Sequence, residues 1–327
     1  MNGKRWVWRA RSEGLILGKK IQDMNFEEDI RQHVLQNLRR DPRADRELKS
    51  KSARDLLIIY GNWLNRLVST RPRTVHCSTA LAANQLASDP RYAPGLAGIE
   101  TKLRNGQDVT LHLSKDIRYG YDPDAATGSV PLHRHKDLDL LLNDWGIHHL
   151  HLSTEVEADG FVKRDGPLLF AAFRPDDAYF IDIMHHGDWT REHIIEVIVN
   201  EWPSAGLIEE MPEVTASAYT PTEEDRMKLR KAGMNVFLQI SSKFYRSVSG
   251  LALSGISLKT TQWVIQVFNA TKWFQKRISD DPKYVVQTIS AAGMSAPADP
   301  DLHFCFFENG GYGVVERETG FRFRLGN

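Results

Sequence analysis

The spacing of apolar residues along this chain changes period from helix-like to strand-like and back, and those changes divide it into three regions. Residues 26–70 carry the helical repeat. Phe26-Glu27-Glu28-Asp29-Ile30 opens an amphipathic stretch to about Arg40, which Asp41-Pro42 breaks because proline removes a backbone donor and crowds the preceding turn. From about Ala44 to Val68 the residues Leu56, Leu57, Tyr60, Leu64 and Leu67 fall on one helix face, and Arg71-Pro72-Arg73 ends it. Two short helices separated by Asp89-Pro90 are expected over 75–105. Val109 to Ser114 then alternates as a strand does. Asp122-Pro123-Asp124 through Gly128-Ser129 reads as an exposed loop.

The central region has the densest strand signal. A leucine-rich helix is expected from Lys136 to Asn143, ended by Trp145-Gly146, with a strand from Ile147 to Ser153. After a polar turn around Asp159-Gly160 and Asp165-Gly166 come strands Leu168–Phe173 and Tyr179–His185, joined by Arg174-Pro175-Asp176-Asp177. Thr190 has the chemistry of an N-cap for a helix reaching Asn200, before Trp202-Pro203. Beyond a linker at about 203–221, Thr222 caps a helix from Glu223 to Lys231 that Gly233 ends. Asn235–Tyr245 reads as one long strand or a strand pair. Leu258–Arg277 forms a long aromatic-rich helix, and His303–Phe307, Gly313–Glu316 and Gly320–Leu325 form three antiparallel strands. The expected fold is therefore α+β. Its parts are a mainly helical region 1–105, a central α/β region 106–203 with a small antiparallel sheet and flanking helices, and a C-terminal helix-plus-hairpin region 204–327.

Composition narrows the classes of function. With 41% hydrophobic and 26% charged residues in 327, the chain resembles an ordinary globular protein. No apolar run approaches the roughly 20 residues that span a bilayer, and the charged start Met1-Asn2-Gly3-Lys4-Arg5-Trp6 has no apolar block after it, so no membrane role or secretory leader is expected. Cys77 and Cys305 are too few for a disulfide framework or a cysteine zinc site. They are expected as buried small hydrophobes in a reducing cytoplasm. The 42 basic and 42 acidic residues cancel, so a nucleic-acid partner has to be held by a local patch rather than by overall charge. The absence of a Gly-Lys-Ser/Thr phosphate loop and of a Gly-x-Ser-x-Gly elbow removes support for those chemistries.

Histidine supplies the positive signal. Eight of the twelve lie between His133 and His193, the others being His33, His76, His112 and His303. An imidazole exchanges protons near neutral pH, so this clustering points to acid–base chemistry. In Ile147-His148-His149-Leu150-His151-Leu152-Ser153, strand alternation puts Ile147, His149, His151 and Ser153 on one face and His148, Leu150 and Leu152 on the other. His149 and His151 then stand roughly 7 Å apart along the strand, a spacing that suits a base and an acid flanking one phosphate. Likewise Asp182 and His186 share a face opposite Tyr179, Ile181, Ile183 and His185. His185 and His186 lie before the Gly187-Asp188-Trp189 approach to a helix start, where backbone N–H groups attract anions. Arg164 and Arg174 sit in adjacent turns as candidate phosphate clamps, with Ser153 and Trp189 as further substrate contacts.

The strand–hairpin–strand–helix order of 147–200, with Leu168-Leu169-Phe170-Ala171-Ala172-Phe173 pairing with Tyr179-Phe180-Ile181-Asp182-Ile183, resembles the core of RelE- and HigB-type bacterial ribonuclease toxins. The resemblance covers about 60 residues. It implies an RNA-binding sheet face, cleavage without a metal or cofactor, RNA as substrate, an inhibitory antitoxin as partner, and a toxin-like or phage-defence role. His149 and His151 would then exchange the protons of a transesterification that leaves a 2′,3′-cyclic phosphate. Three alternatives stay open. His76-Cys77-Ser78, His112-Leu113-Ser114 and His151-Leu152-Ser153 have the His-x-Ser form of two-histidine phosphoesterases. His133-Arg134-His135 and His149-Leu150-His151, with Asp144, Asp182 and Asp188, have metal-ligand spacing. A non-enzymatic regulator that binds a partner protein through the flanking parts is the third.

Overall fold

A computed structural model describes residues 24–121, 138–187, 192–217, 219, 221–307 and 310–326. In chain order its elements begin with α1 (Phe26–Asn37), α2 (Asp45–Ser50), α3 (Ala53–Asn65), β1 (Thr74–Cys77), α4 (Thr79–Ala83), α5 (Gln85–Ser88) and α6 (Ala93–Arg104). They continue with α7 (Leu140–Trp145), β2 (Ile147–His151), β3 (Leu168–Phe173), β4 (Asp177–Met184), α8 (His193–Glu201), β5 (Ile208–Glu210), α9 (Glu223–Lys231), β6 (Leu238–Ile240) and β7 (Lys243–Ser247). The last are α10 (Leu258–Asp280), α11 (Tyr284–Ala291), β8 (Leu302–Phe306), β9 (Tyr312–Glu316) and β10 (Arg322–Gly326). The fold is α+β, with eleven helices and three sheets among the described residues. None of those helices is long and apolar enough to cross a membrane.

The chain divides into two compact units, residues 62–260 and the remainder on either side of them. These differ from the expected regions 1–105, 106–203 and 204–327, for a physical reason. The histidine-bearing sheet is apolar on both faces, and the central region alone has too little helix to cover it. Residues 62–105 cover one face and residues 204–260 help to cover the other.

In the 62–260 unit the main sheet has the order β1-β4-β3-β2. Strands β2, β3 and β4 form the expected antiparallel meander, and β1 joins β4 in parallel. β1 is too short, at four residues, for alternation to reveal it. One face packs Leu150, Leu169, Ala171 and Phe180 against Ile99 and Leu103 of α6. The other packs Ile147, Leu168, Phe170 and Ile181 against α7, α8 and the small antiparallel sheet β5-β7-β6. In that small sheet Asn235–Tyr245 resolves as two strands, β6 and β7, whose turn holds Ser241 and Ser242 at φ 48° and 67°. Helix α9 starts at Thr222 as expected, with a reciprocal capping box between Thr222 and Asp225.

Two local expectations are corrected. Val109–Ser114 is not a strand: Thr110–His112 forms a 3₁₀ turn whose first amide donates to the Asp108 carboxylate, a local bond that outweighs the apolar alternation. In β4 the pairing slips between Phe170 and Ala171, which face Asp182 and Phe180, so Ile181 is an extra residue. The bulge resets the alternation. Ile183 therefore packs on the same face as Ala178 and Phe180, not with Tyr179 and Ile181.

In the other unit, the helix expected over 44–68 is interrupted at Lys51-Ser52, where Lys51 is extended and the Ser52 hydroxyl accepts from the Asp55 amide as a new cap. The unit buries Phe26, Ile30 and Val34 of α1, Leu56 and Leu57 of α3, and Phe268 and Phe274 of α10, with Phe304, Val314 and Phe323 from the sheet β10-β9-β8. Cys305 there is half-buried, but Cys77 in the first unit is exposed, contrary to the expectation of two buried thiols.

Candidate functional site

Strand β2 is the edge of the main sheet, and its position is set by the end of α7. Gly146 terminates that helix at φ 71°, a left-handed conformation that glycine adopts without cost, and the chain turns straight into Ile147. Ile147 is fully buried. Its burial fixes the register of β2 and hence the side to which His149 and His151 point.

Three imidazoles meet there. The rings of His149 and His151 are 6.4 Å apart, and those of His149 and His186 are 6.5 Å apart, both pairs edge to face. His186 reaches the cluster from just beyond the end of β4. His149 Nδ1 lies 3.4 Å from a carboxylate oxygen of Asp139, which also accepts from the Leu142 amide and so caps α7. His151 is buried, and burial first, then the Arg164 guanidinium and the neighbouring imidazoles, push its pKa down to about 3. It is neutral at physiological pH and a poor proton acceptor. Behind it, the Lys102 ammonium faces His112 Nε2 at 3.1 Å, so that nitrogen accepts and Nδ1–H donates to the His151 carbonyl at 2.9 Å. Burial lowers His112 to about 4 as well.

A cavity of about 400 Å³ opens beside the cluster. His148, His149 and His186 line it together with Arg66, Asp116 and Asp139, and α9 adds Met227, Arg230 and Lys231. Strand alternation places His148 on a core face. It is indeed buried, edge-on to Phe173 at 5.1 Å, with its pKa lowered to about 4 chiefly by burial. The cavity reaches it because β2 is an edge strand.

The other residues singled out in the sequence lie elsewhere or act locally. His185 is exposed and does not line the cavity. Ser153 follows the strand, and its hydroxyl accepts from the Glu155 amide. Arg164 donates to the carbonyls of Val162 and Leu113 and lies over Phe161, so it bears on the cluster through its charge on His151. Arg174 donates to the Ala205 carbonyl at the far end of the hairpin, four residues along from Phe170, the partner of His149. That is roughly 13 Å away. Trp189, and with it His133, His135 and Asp188, falls outside the described residues. Asp182 is buried and accepts from His193 Nε2 at 2.9 Å, from Asn84 at 2.6 Å and from the Ile183 amide. Asp144 is paired with Arg230.

Those placements bear on the alternatives. The hydroxyls of Ser78, Ser114 and Ser153 each accept from a nearby backbone amide at a turn or helix start. His76 sits at the other edge of the sheet, bonded to Asp177 and stacked on Tyr179. His76-Cys77-Ser78 is thus set apart, while His112 and His151 adjoin through the bond from His112 Nδ1 to the His151 carbonyl, with the Ser114 and Ser153 hydroxyls turned to local amides. Among the described residues no three His, Cys, Asp or Glu side chains are arranged to hold a metal ion.

Sequence reasoning missed Arg66, Asp139, His148, Arg230 and Lys231. Arg66 and the α9 cations lie far apart in the chain, and only the packed fold brings them to one cavity. No family model, curated protein or solved structure matches the chain.

Proposed function

We propose that the protein cleaves RNA phosphodiesters without a metal, using His149 and His186 as the acid–base pair. The observation that carries this reading is the 6.5 Å separation of two imidazole rings that both line one cavity. A phosphate between them could receive a proton from one side while a hydroxyl loses one on the other.

His149 is suited to the base role because the Asp139 carboxylate beside Nδ1 supports the imidazolium formed when it takes a proton. The RNA 2′-hydroxyl loses its proton to His149 as its oxygen attacks phosphorus. The bond from phosphorus to the 5′-oxygen breaks, and His186 protonates that leaving oxygen. The products are a 2′,3′-cyclic phosphate and a 5′-hydroxyl, and DNA, lacking the 2′-hydroxyl, is inert. His151, held neutral and outside the cavity lining, packs beside His149 and does not serve as the acid. The antiparallel meander of β2, β3 and β4 supports the likeness to ribonuclease toxins, and with it a cytoplasmic, toxin-like role restrained by an inhibitor protein.

The test is incubation of the full chain with end-labelled RNA and DNA, with and without EDTA. EDTA-resistant cleavage of RNA alone is expected. Each of His149→Ala and His186→Ala should lose about 100-fold or more in rate, and His151→Gln about tenfold or less. Intact RNA, or full rates in folded His149→Ala and His186→Ala proteins, would sink the proposal. EDTA-sensitive cleavage would transfer it to metal chemistry.

A further inference from the structure

Arg66 is the most deeply buried cation lining the cavity, with 4% of its surface exposed. Two of its nitrogens donate to the backbone carbonyls of Asp116 and Tyr119, at 3.3 and 2.7 Å. Its Nε has no acceptor among the described residues. Leaving a buried charged donor unsatisfied is costly, so such groups normally meet a ligand or water. His148, on the same wall, is 8% exposed, and neither ring nitrogen makes a hydrogen bond of normal geometry, although the Asn65 backbone lies close enough to favour its charged form. Arg230 uses Nε for Asp144, and Lys231 stands exposed at the end of α9.

Outside the Arg230–Asp144 pair the lining thus carries two cations, Arg66 and Lys231, facing two carboxylates, Asp116 and Asp139, with His149 and His186 adjoining. Asp139 already accepts from the Leu142 amide and stands against His149. At about 400 Å³ the space lies near the small end of ligand sites. It admits one nucleotide, not a stretch of duplex.

We propose that this cavity is a phosphate pocket for a single nucleotide, in which Arg66 and Lys231 grip the phosphate that His149 and His186 flank. This rests on the acid–base reading above and deepens it: the RNA would enter by one nucleotide at a time, its phosphate neutralised by Arg66 and Lys231. Arg66 gives fixed, planar donors from the wall and Lys231 a mobile charge at the mouth.

Calorimetric titration of the full chain with adenosine 3′-monophosphate, and separately with inorganic phosphate at matched ionic strength, tests it. The nucleotide should bind more tightly than phosphate, and phosphate should compete with it. Lys231→Ala and Arg66→Lys should each weaken nucleotide binding about tenfold or more, the scale of one charge-assisted hydrogen bond. The exposed Lys231 variant keeps the test valid if the Arg66 variant fails to fold. No binding of either probe at about 10 mM, or equal binding by wild type and both folded variants, overturns the pocket. Nucleotide binding by a protein that leaves RNA intact supports the pocket and removes the ribonuclease reading. RNA cleavage by a protein that binds neither probe does the reverse.

Discussion

Arg230 of α9 and Asp144 of α7 form an ion pair at 2.8 Å with 7% and 4% of their side chains exposed. Burial alone raises the Asp144 carboxyl above the usual carboxylate range, and the guanidinium opposes it. The pair holds two cavity-lining helices together. Breaking it differs from replacing it, because a lone buried charge keeps its desolvation penalty and loses its partner. Arg230→Ala should cost about 3–5 kcal/mol, while Arg230→Met combined with Asp144→Leu should cost much less. Urea denaturation of the wild type and these two variants decides. An Arg230→Ala loss no larger than that of the double variant would show that the pair does not support the unit.

The strand positions were legible wherever alternation was long and uninterrupted. Leu168–Phe173 is observed with its expected limits, and Thr222 and Gly146 mark helix ends because their chemistry is local. The bulge at Ile181 was not legible, since it depends on pairing with β3, and it moved Ile183 to the opposite face. The sequence indicated the histidine segment and the shared face of His149 and His151. It could not rank the imidazoles: His151 is held near pKa 3 by burial under its neighbours, and a strand pattern carries no measure of that. Arg66 lies 82 residues from His148 in the chain, and nothing short of the packed fold joins them to one cavity.

Acid should unfold the 62–260 unit from within. Burial lowers His112 and His148 to about 4 and His151 to about 3, against about 6.5 in an unfolded chain. Between those values the unfolded chain takes up protons that the folded one refuses. Stability is therefore fully present above about pH 6.5 and falls as pH drops toward about 4, by at most about 1.4 kcal/mol per pH unit for each such group. Urea midpoints measured across that range should show the decline, and His148→Gln should make it shallower. A midpoint that does not move between those limits would contradict the assignment.

His303 should behave in the opposite sense. Its Nδ1 faces Asp29 at 3.2 Å and its Nε2 faces Asp301 at 3.0 Å. A neutral ring can donate to only one of them, so both contacts need the imidazolium. The hydrogen bond to Asp29, above all, raises its pKa despite partial burial. The stabilisation is complete below about pH 6.5 and is lost as pH rises through the folded value. Hydrogen exchange at the Phe304 amide, which donates to Asp29 at 2.9 Å, reports on this contact. Its protection should fall with rising pH beyond the intrinsic exchange trend, and His303→Gln should remove that extra fall. An unchanged pH dependence in the variant would rule the contact out as the cause.

Gly95 fixes how closely α6 approaches the end of the histidine strand. A Cβ at that position would lie 1.6 Å from the carbonyl oxygen of Leu152, the residue after His151. That atom belongs to the backbone and cannot swing aside, so Gly95→Ala has to lift α6 from the sheet or displace β2. Overpacking of this kind costs about 3 kcal/mol. Gly98, one turn further along the same helix, has open space where a Cβ would stand, with no atom within 4 Å. There alanine meets no obstacle and restores helix propensity, a gain of up to about 1 kcal/mol. Urea denaturation of the two variants should therefore give opposite signs. On the proposed ribonuclease reading, the rate of RNA cleavage should fall only in Gly95→Ala, because Leu152 is joined to His151 and any shift of β2 moves the imidazoles with it. Equal stability of the two variants would mean that the close approach of α6 does not hold the strand.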